Sequence, residues 1–162
     1  MHLLLSLCQW LEHTAVGTAV RESTWLFPTI ETVHILGMTI LVGATWMLNL
    51  HLLNFSRRPQ PFSEAALGLL PWLWLGFGVN FLTGFLIFSA EATKMYNNSY
   101  FRIKMLLIFV LAVNAVLFRL SIHRTAGWKG FNTAPMGFRV AGCIALLLWV
   151  GVIAASRWVA YL

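Results

Sequence analysis

There is no aspartate anywhere in this chain, and its acidic side chains amount to five glutamates. Metal hydrolases and aspartyl enzymes work with clusters of carboxylates, so that chemistry starts here with few ligands or none. Cysteine is nearly as scarce. Cys8 and Cys143 stand far apart, and neither CxxC nor CxxCH occurs. These absences exclude a disulfide framework, a zinc knuckle and covalently attached c-type haem, so any haem would be held non-covalently. GxSxG, a P-loop and HExxH are missing as well, which removes the common hydrolytic and phosphate-binding signatures. Charge of either sign is thin: 10% of residues are charged, against about 25% in a soluble domain. A surface with so little charge is not built for water.

What fills the chain instead is apolar. Of its 162 residues, 59% are hydrophobic, with eight Trp and twelve Phe. Aromatic side chains fill helix contacts and mark the two membrane interfaces. The length allows one domain, residues 1–162, and leaves almost nothing over for a second module. The net charge of +6 does not form a patch. Its Lys and Arg sit at span ends and in short connections, where they set topology, so a nucleic-acid partner is excluded. The first residues lack the basic n-region and the small-residue cleavage site of a signal peptide. Leu7 directly before Cys8 argues against a lipoprotein site.

Four apolar stretches each exceed the ~20 residues that a hydrocarbon core requires. They run from about Trp25 to Asn54, Phe62 to Ala90, Tyr100 to His123 and Gly137 to Tyr161. Their short connections carry Pro, Gly, Asn and Ser, so consecutive spans are expected as antiparallel neighbours. Residues 3–18 differ. Leu4, Leu7, Leu11 and Ala15 recur at helical spacing, with Gln9, Glu12 and His13 nearer the other side. This reads as one amphipathic helix lying in the interface, with Trp10 as its anchor. Glu22-Ser23-Thr24 then caps the first span. The expected fold is all-α: an integral membrane four-helix bundle behind a short interfacial helix, multi-pass in a bacterial inner membrane.

Counting Lys and Arg on either side gives six with the first turn inside (Arg57, Arg58, Arg119, Arg124, Lys129, Arg139). The other side has five (Arg21, Lys94, Arg102, Lys104, Arg157). That difference is too small to fix orientation by the positive-inside rule.

The residues left to carry chemistry are histidines. His34 lies inside the first span, one turn after Glu31 and one turn before Gly37. An ionisable residue at mid-membrane costs at least ~2.5 kcal/mol on insertion scales and normally faces the bundle. It either braces the bundle through a hydrogen bond or serves a ligand, and Glu31 is placed to orient its ring or relay a proton. His51 and His123 close the first and third spans. Those spans run parallel if helices alternate, so both imidazoles reach one membrane face, the placement for axial ligation of one haem iron. Gly43, Ala44 and Met47 leave room beside His51, and Arg119, Arg57, Arg58 and Arg124 stand ready for propionates. The plainer alternative is that histidines at span ends lean into the headgroups.

His13 could approach His34 from the interfacial helix and form a second pair on the other face. His34 and His51 are 17 residues apart, roughly 25 Å of helix rise, although on different faces of the helix. One haem near each leaflet would give electrons a route across the membrane. Most of Asn80, Thr83, Asn114, Thr39 and Thr45 are expected to hydrogen-bond between helices. Gly76, Gly78 and Gly84 form a stripe for close helix approach. Lys104, near a span end, can reach an interface and is assigned no chemistry on position alone.

Three stretches, RESTWLFPTIETVHILGMTILVG, GFGVNFLTGFLIFS and YFRIKMLLIFVLAVNAVLF, together resemble a bacterial family of small four-helix membrane proteins of unknown function. The likeness covers most of the chain after Trp10. It implies the four-helix fold and importance for Glu31, His34, Lys104 and Asn114, but no activity. The family pattern sets a histidine soon after the Asn-Ala-Val-Leu-Phe run, whereas here Arg119 follows Phe118 and the histidine comes at His123. The architecture is also distantly similar to b-type membrane cytochromes, a likeness of plan alone.

Two functions are thus open. One is a b-type cytochrome, with haem b held by His51 and His123 and a second by His13 and His34. It would serve a quinol or redox-protein partner as an electron-transfer subunit, alone or as a homo-oligomer. The other is a cofactor-free scaffold or transport subunit of a larger complex. A quinone or lipid held without haem is a third, weaker option.

Overall fold

A computed structural model describes residues 2–53, 62–124 and 136–159, all helical apart from short turns. Seven helices follow in order: α1 His2–Glu12, α2 Ala15–Glu22, α3 Leu26–Leu52, α4 Phe62–Ala90, α5 Ala92–Asn97, α6 Ser99–Arg124 and α7 Met136–Val159. Four of them, α3, α4, α6 and α7, are long and apolar enough to cross a membrane, within a residue or two of the expected spans. The chain is therefore a multi-pass, all-α membrane protein whose large exposed side chains, such as Leu106, Phe109 and Leu147, face lipid.

The spans form two antiparallel hairpins. In the first, α3 lies tightly along α4 because small residues admit the opposing backbone. A Cβ added at Gly76 would stand 2.8 Å from the Leu41 amide nitrogen, and one at Gly37 would stand 2.6 Å from Val79 Cγ1. In the second hairpin, α6 runs along α7. Tyr100 stacks on Trp158 at one end, and Phe118 meets Phe138 edge-on at the other. One turn in from the Phe118–Phe138 contact, Asn114 Nδ2 donates to the Ala141 carbonyl at 3.2 Å.

Helix α7 joins the hairpins. Its buried residues Gly142, Ala145, Trp149, Val152 and Ala155 recur at the 3–4 spacing of a coiled-coil seam. Gly142 fits beneath Asn49 and Leu52 of α3. Helix α6 is held differently. None of its described residues is buried, and among the described residues it packs on α7 and α5 but not comparably on α3 or α4. Helix α6 meets α4 at one end, where Phe88 stacks on Phe101 with ring centroids 5.7 Å apart. That end, which also carries α1, α2 and α5, is called here the near face.

Two helices stand where the sequence suggested one interfacial helix over 3–18. The break falls at His13–Thr14. Thr14 has extended backbone (φ −67°, ψ 154°), accepts from the Gly17 amide at 3.2 Å and donates to the Leu11 carbonyl at 2.6 Å. Its side chain thus ends one helix and caps the next. Leu4, Leu7 and Trp10 are exposed, while Cys8 and Val20 are buried, so the pair turns its large apolar side chains outward to the membrane interface. Glu12 fixes the pair to the bundle. Its carboxylate accepts from the Thr93 backbone amide at 2.7 Å and the Thr93 hydroxyl at 2.8 Å, closing the first turn of α5. Gly17 packs so closely that a Cβ there would stand 2.7 Å from the Ser89 carbonyl. Ser23 caps the first span as expected, accepting from the Leu26 amide at 3.2 Å.

A polarised histidine inside the membrane bundle

His34 is half-buried on the α4-facing side of α3. Its Nδ1 lies 2.8 Å from Thr83 Oγ1 on α4, and its Cε1 lies over Gly84, 3.3 Å from where a Cβ would stand. The direction of the hydrogen bond follows from proton accounting. The Thr83 hydroxyl carries one proton, and it donates that proton to the Val79 carbonyl at 2.6 Å. Thr83 can therefore only accept from the ring, so the proton of the neutral imidazole is on Nδ1. This leaves the lone pair of Nε2 free. A histidine fixed through Nδ1–H with Nε2 open has the arrangement of a metal-ligating imidazole.

Lys104 comes from the other hairpin. It sits in the first turns of α6, half-buried. Among the described residues it has neither an ion pair nor a hydrogen bond; the ion pair found there joins Lys94 to Glu91 at 3.2 Å.

The remaining candidates are distributed as follows. Glu31 is exposed, and Thr83 rather than Glu31 orients the imidazole. Thr83 and Asn114 bond between helices as expected. Asn80, Thr39 and Thr45 instead return to carbonyls of their own helices, at Gly76, Ile35 and Leu41, because a carbonyl one turn back is always within reach. Gly76 makes the expected close approach, Gly84 serves the His34 ring, and Gly78 faces open space.

His13 is exposed in the α1–α2 turn. Thr83 and Gly84 adjoin the His34 ring, and no histidine pair occurs among the described residues. Nor do three metal-ligating side chains cluster there. His51 is half-buried at the end of α3. Arg119 and His123 lie on the last turns of α6, with their side chains outside the described set, as are Arg57 and Arg58. Since Phe88 and Phe101 bring the end of α4 to the start of α6, α3 and α6 run parallel. His51 and His123 are thus carried to the far end of the bundle on the same face.

Sequence reasoning missed the Thr83 partner and the role of Gly84. It also set Lys104 aside on position alone, although the family resemblance singled that residue out.

A family model described as a family of unknown function, DUF6644, matches residues 7–162, and the chain belongs to that family. No curated protein and no solved structure matches it.

Proposed function

We propose that this member of DUF6644 is a membrane-embedded b-type cytochrome that moves electrons within or across the bilayer, with His34 as an axial ligand of a haem b. The observation that carries the reading is the His34–Thr83–Val79 chain, which fixes the ring through Nδ1–H and leaves Nε2 unprotonated. Gly84 keeps bulk away from the ring, and the aromatic pair Phe88 and Phe101 stacks toward the same end of the bundle. Bound there, haem supplies one-electron iron chemistry. The chain's own part is to hold the ligand nitrogen deprotonated, exclude water and set the iron at a chosen depth.

In the same reading His51 and His123 hold a second haem at the far end, with Arg119 toward its propionates, and His13 stands on the near face with His34. The electron partner is a quinol or a docking redox protein. The competing reading, a cofactor-free scaffold or transport subunit, draws its support from α6, none of whose described residues is buried, which offers a face to a partner helix. A reduced-minus-oxidised visible spectrum of the purified protein decides between them. A Soret band that loses one haem's share of its intensity in His34→Ala supports the cytochrome, and colourless protein made with ample haem supply refutes it.

A further inference from the structure

Arg102 stands in the first turn of α6, and its side chain turns back past the start of the helix. Its Nε donates to the Tyr96 carbonyl at 3.0 Å, and the guanidinium carbon lies 5.3 Å from the centroid of the Tyr96 ring. Tyr96 belongs to α5, outside the span that begins at Ser99. The charge is thus carried out of the hydrocarbon, as the lean of helical side chains toward the N-terminus favours. Close by, Tyr100 stacks on Trp158, an aromatic pair of the kind that lies at headgroup depth.

The carbonyl and the ring together fix the plane of the guanidinium, and Nε is the nitrogen they occupy. The two Nη groups remain as an exposed fork, the geometry that meets two oxygens of a phosphate. The first amides of α6 do not compete for that anion, because Asn98 Oδ1 accepts from the Tyr100 and Phe101 amides at 2.9 and 3.3 Å. Below Arg102 the same face continues down the helix. Met105, Leu106, Phe109 and Val113 follow at three, four, seven and eleven residues, a single helical stripe, and each is between 40% and 65% exposed. A free anion would use only the fork, and a partner helix only the stripe. A phospholipid uses both.

We infer that Arg102 and the α6 stripe below it form a phospholipid site of the near leaflet. The Nη fork takes the phosphodiester, and an acyl chain lies along Met105, Leu106, Phe109 and Val113. Tyr96 acts as a positioning residue, holding the fork at headgroup depth. The site is independent of the haem reading.

The test titrates the full chain in detergent with phosphatidylglycerol and, separately, with diacylglycerol of the same chains, counting adducts by native mass spectrometry. The unaltered protein, Arg102→Gln and Arg102→Lys are compared, with monodispersity as the check on folding. Arg102→Gln gives up the charged fork and should bind phosphatidylglycerol roughly tenfold or more weakly. Arg102→Lys keeps the charge without the planar fork and should fall between the two, so it carries the test alone if Arg102→Gln aggregates. Diacylglycerol, which lacks the phosphate, should bind the unaltered protein and Arg102→Gln alike. Equal phosphatidylglycerol affinity in the unaltered protein and in either folded variant overturns the inference. Diacylglycerol that loses affinity in Arg102→Gln overturns it too, since the variant would then act through the stripe and not the phosphate. Displacement of the lipid by inorganic phosphate at equal concentration overturns the lipid assignment in favour of a free anion.

Discussion

Replacing Thr83 by valine removes an oxygen while keeping the shape of the side chain, so the substitution isolates the hydrogen bond on which the His34 account depends. In the native chain Thr83 Oγ1 gives its proton to Val79 at 2.6 Å and accepts from His34 Nδ1 at 2.8 Å. Thr83→Val leaves the Nδ1–H without an acceptor between two packed helices. Interhelical hydrogen bonds in membranes average about 0.6 kcal/mol and reach about 1.7, so hairpin stability should fall between roughly threefold and twentyfold in equilibrium constant. The effect on a ligand is larger, because the ring also loses its orientation and preferred tautomer. Loss of an outer-shell partner costs about 10–100-fold in metal affinity. Haem titration followed at the Soret band, beside an unfolding titration in mixed micelles, separates the two effects. Thr83→Ser keeps the oxygen and should restore both within a few fold. Unchanged haem affinity in Thr83→Val, with the protein still folded, would refute the proton accounting at His34.

Other expectations follow from the same packing. Gly76→Ala drives a methyl to 2.8 Å from the Leu41 backbone nitrogen and should cost about 1–3 kcal/mol of α3–α4 stability; Gly43→Ala, which meets open space, should be neutral or slightly stabilising in the same unfolding titration. Glu12→Gln weakens both bonds to Thr93 and should free α1, seen as faster amide exchange over residues 2–12 while the spans stay protected. Trp149 is 7% exposed and its buried Nε1 has no acceptor among the described residues. Trp149→Phe therefore removes an unsatisfied donor and should lower stability by less than a large core truncation does, within about 1 kcal/mol of the parent in a thermal melt.

The spans were legible in the sequence because a membrane imposes a length and a polarity on each helix, and both can be read residue by residue. His34 was legible for the same reason: an ionisable side chain far from either end of an apolar run needs a purpose. What it bonds to was not. Glu31, one turn away on the same helix, looked nearest, yet its carboxylate is exposed while Thr83, 49 positions away, supplies the acceptor. The clasp between Glu12 and Thr93, 81 positions apart, was hidden likewise, since nothing local to either residue marks the other. The break at Thr14 rests on local bonds, but an apolar spacing that runs smoothly from Leu4 to Ala15 concealed it. Lys104 is read as its position allows: near a span end, its side chain can lean into the headgroups.

The most direct measurement is haem per chain, from a pyridine haemochrome assay with a reduced-minus-oxidised spectrum, on the unaltered protein and on His34→Ala expressed with ample haem. The account predicts b-type bands in the unaltered protein and, in His34→Ala, loss of one haem equivalent with the fold intact. Unaltered protein without haem, or a haem content indifferent to His34, would contradict it.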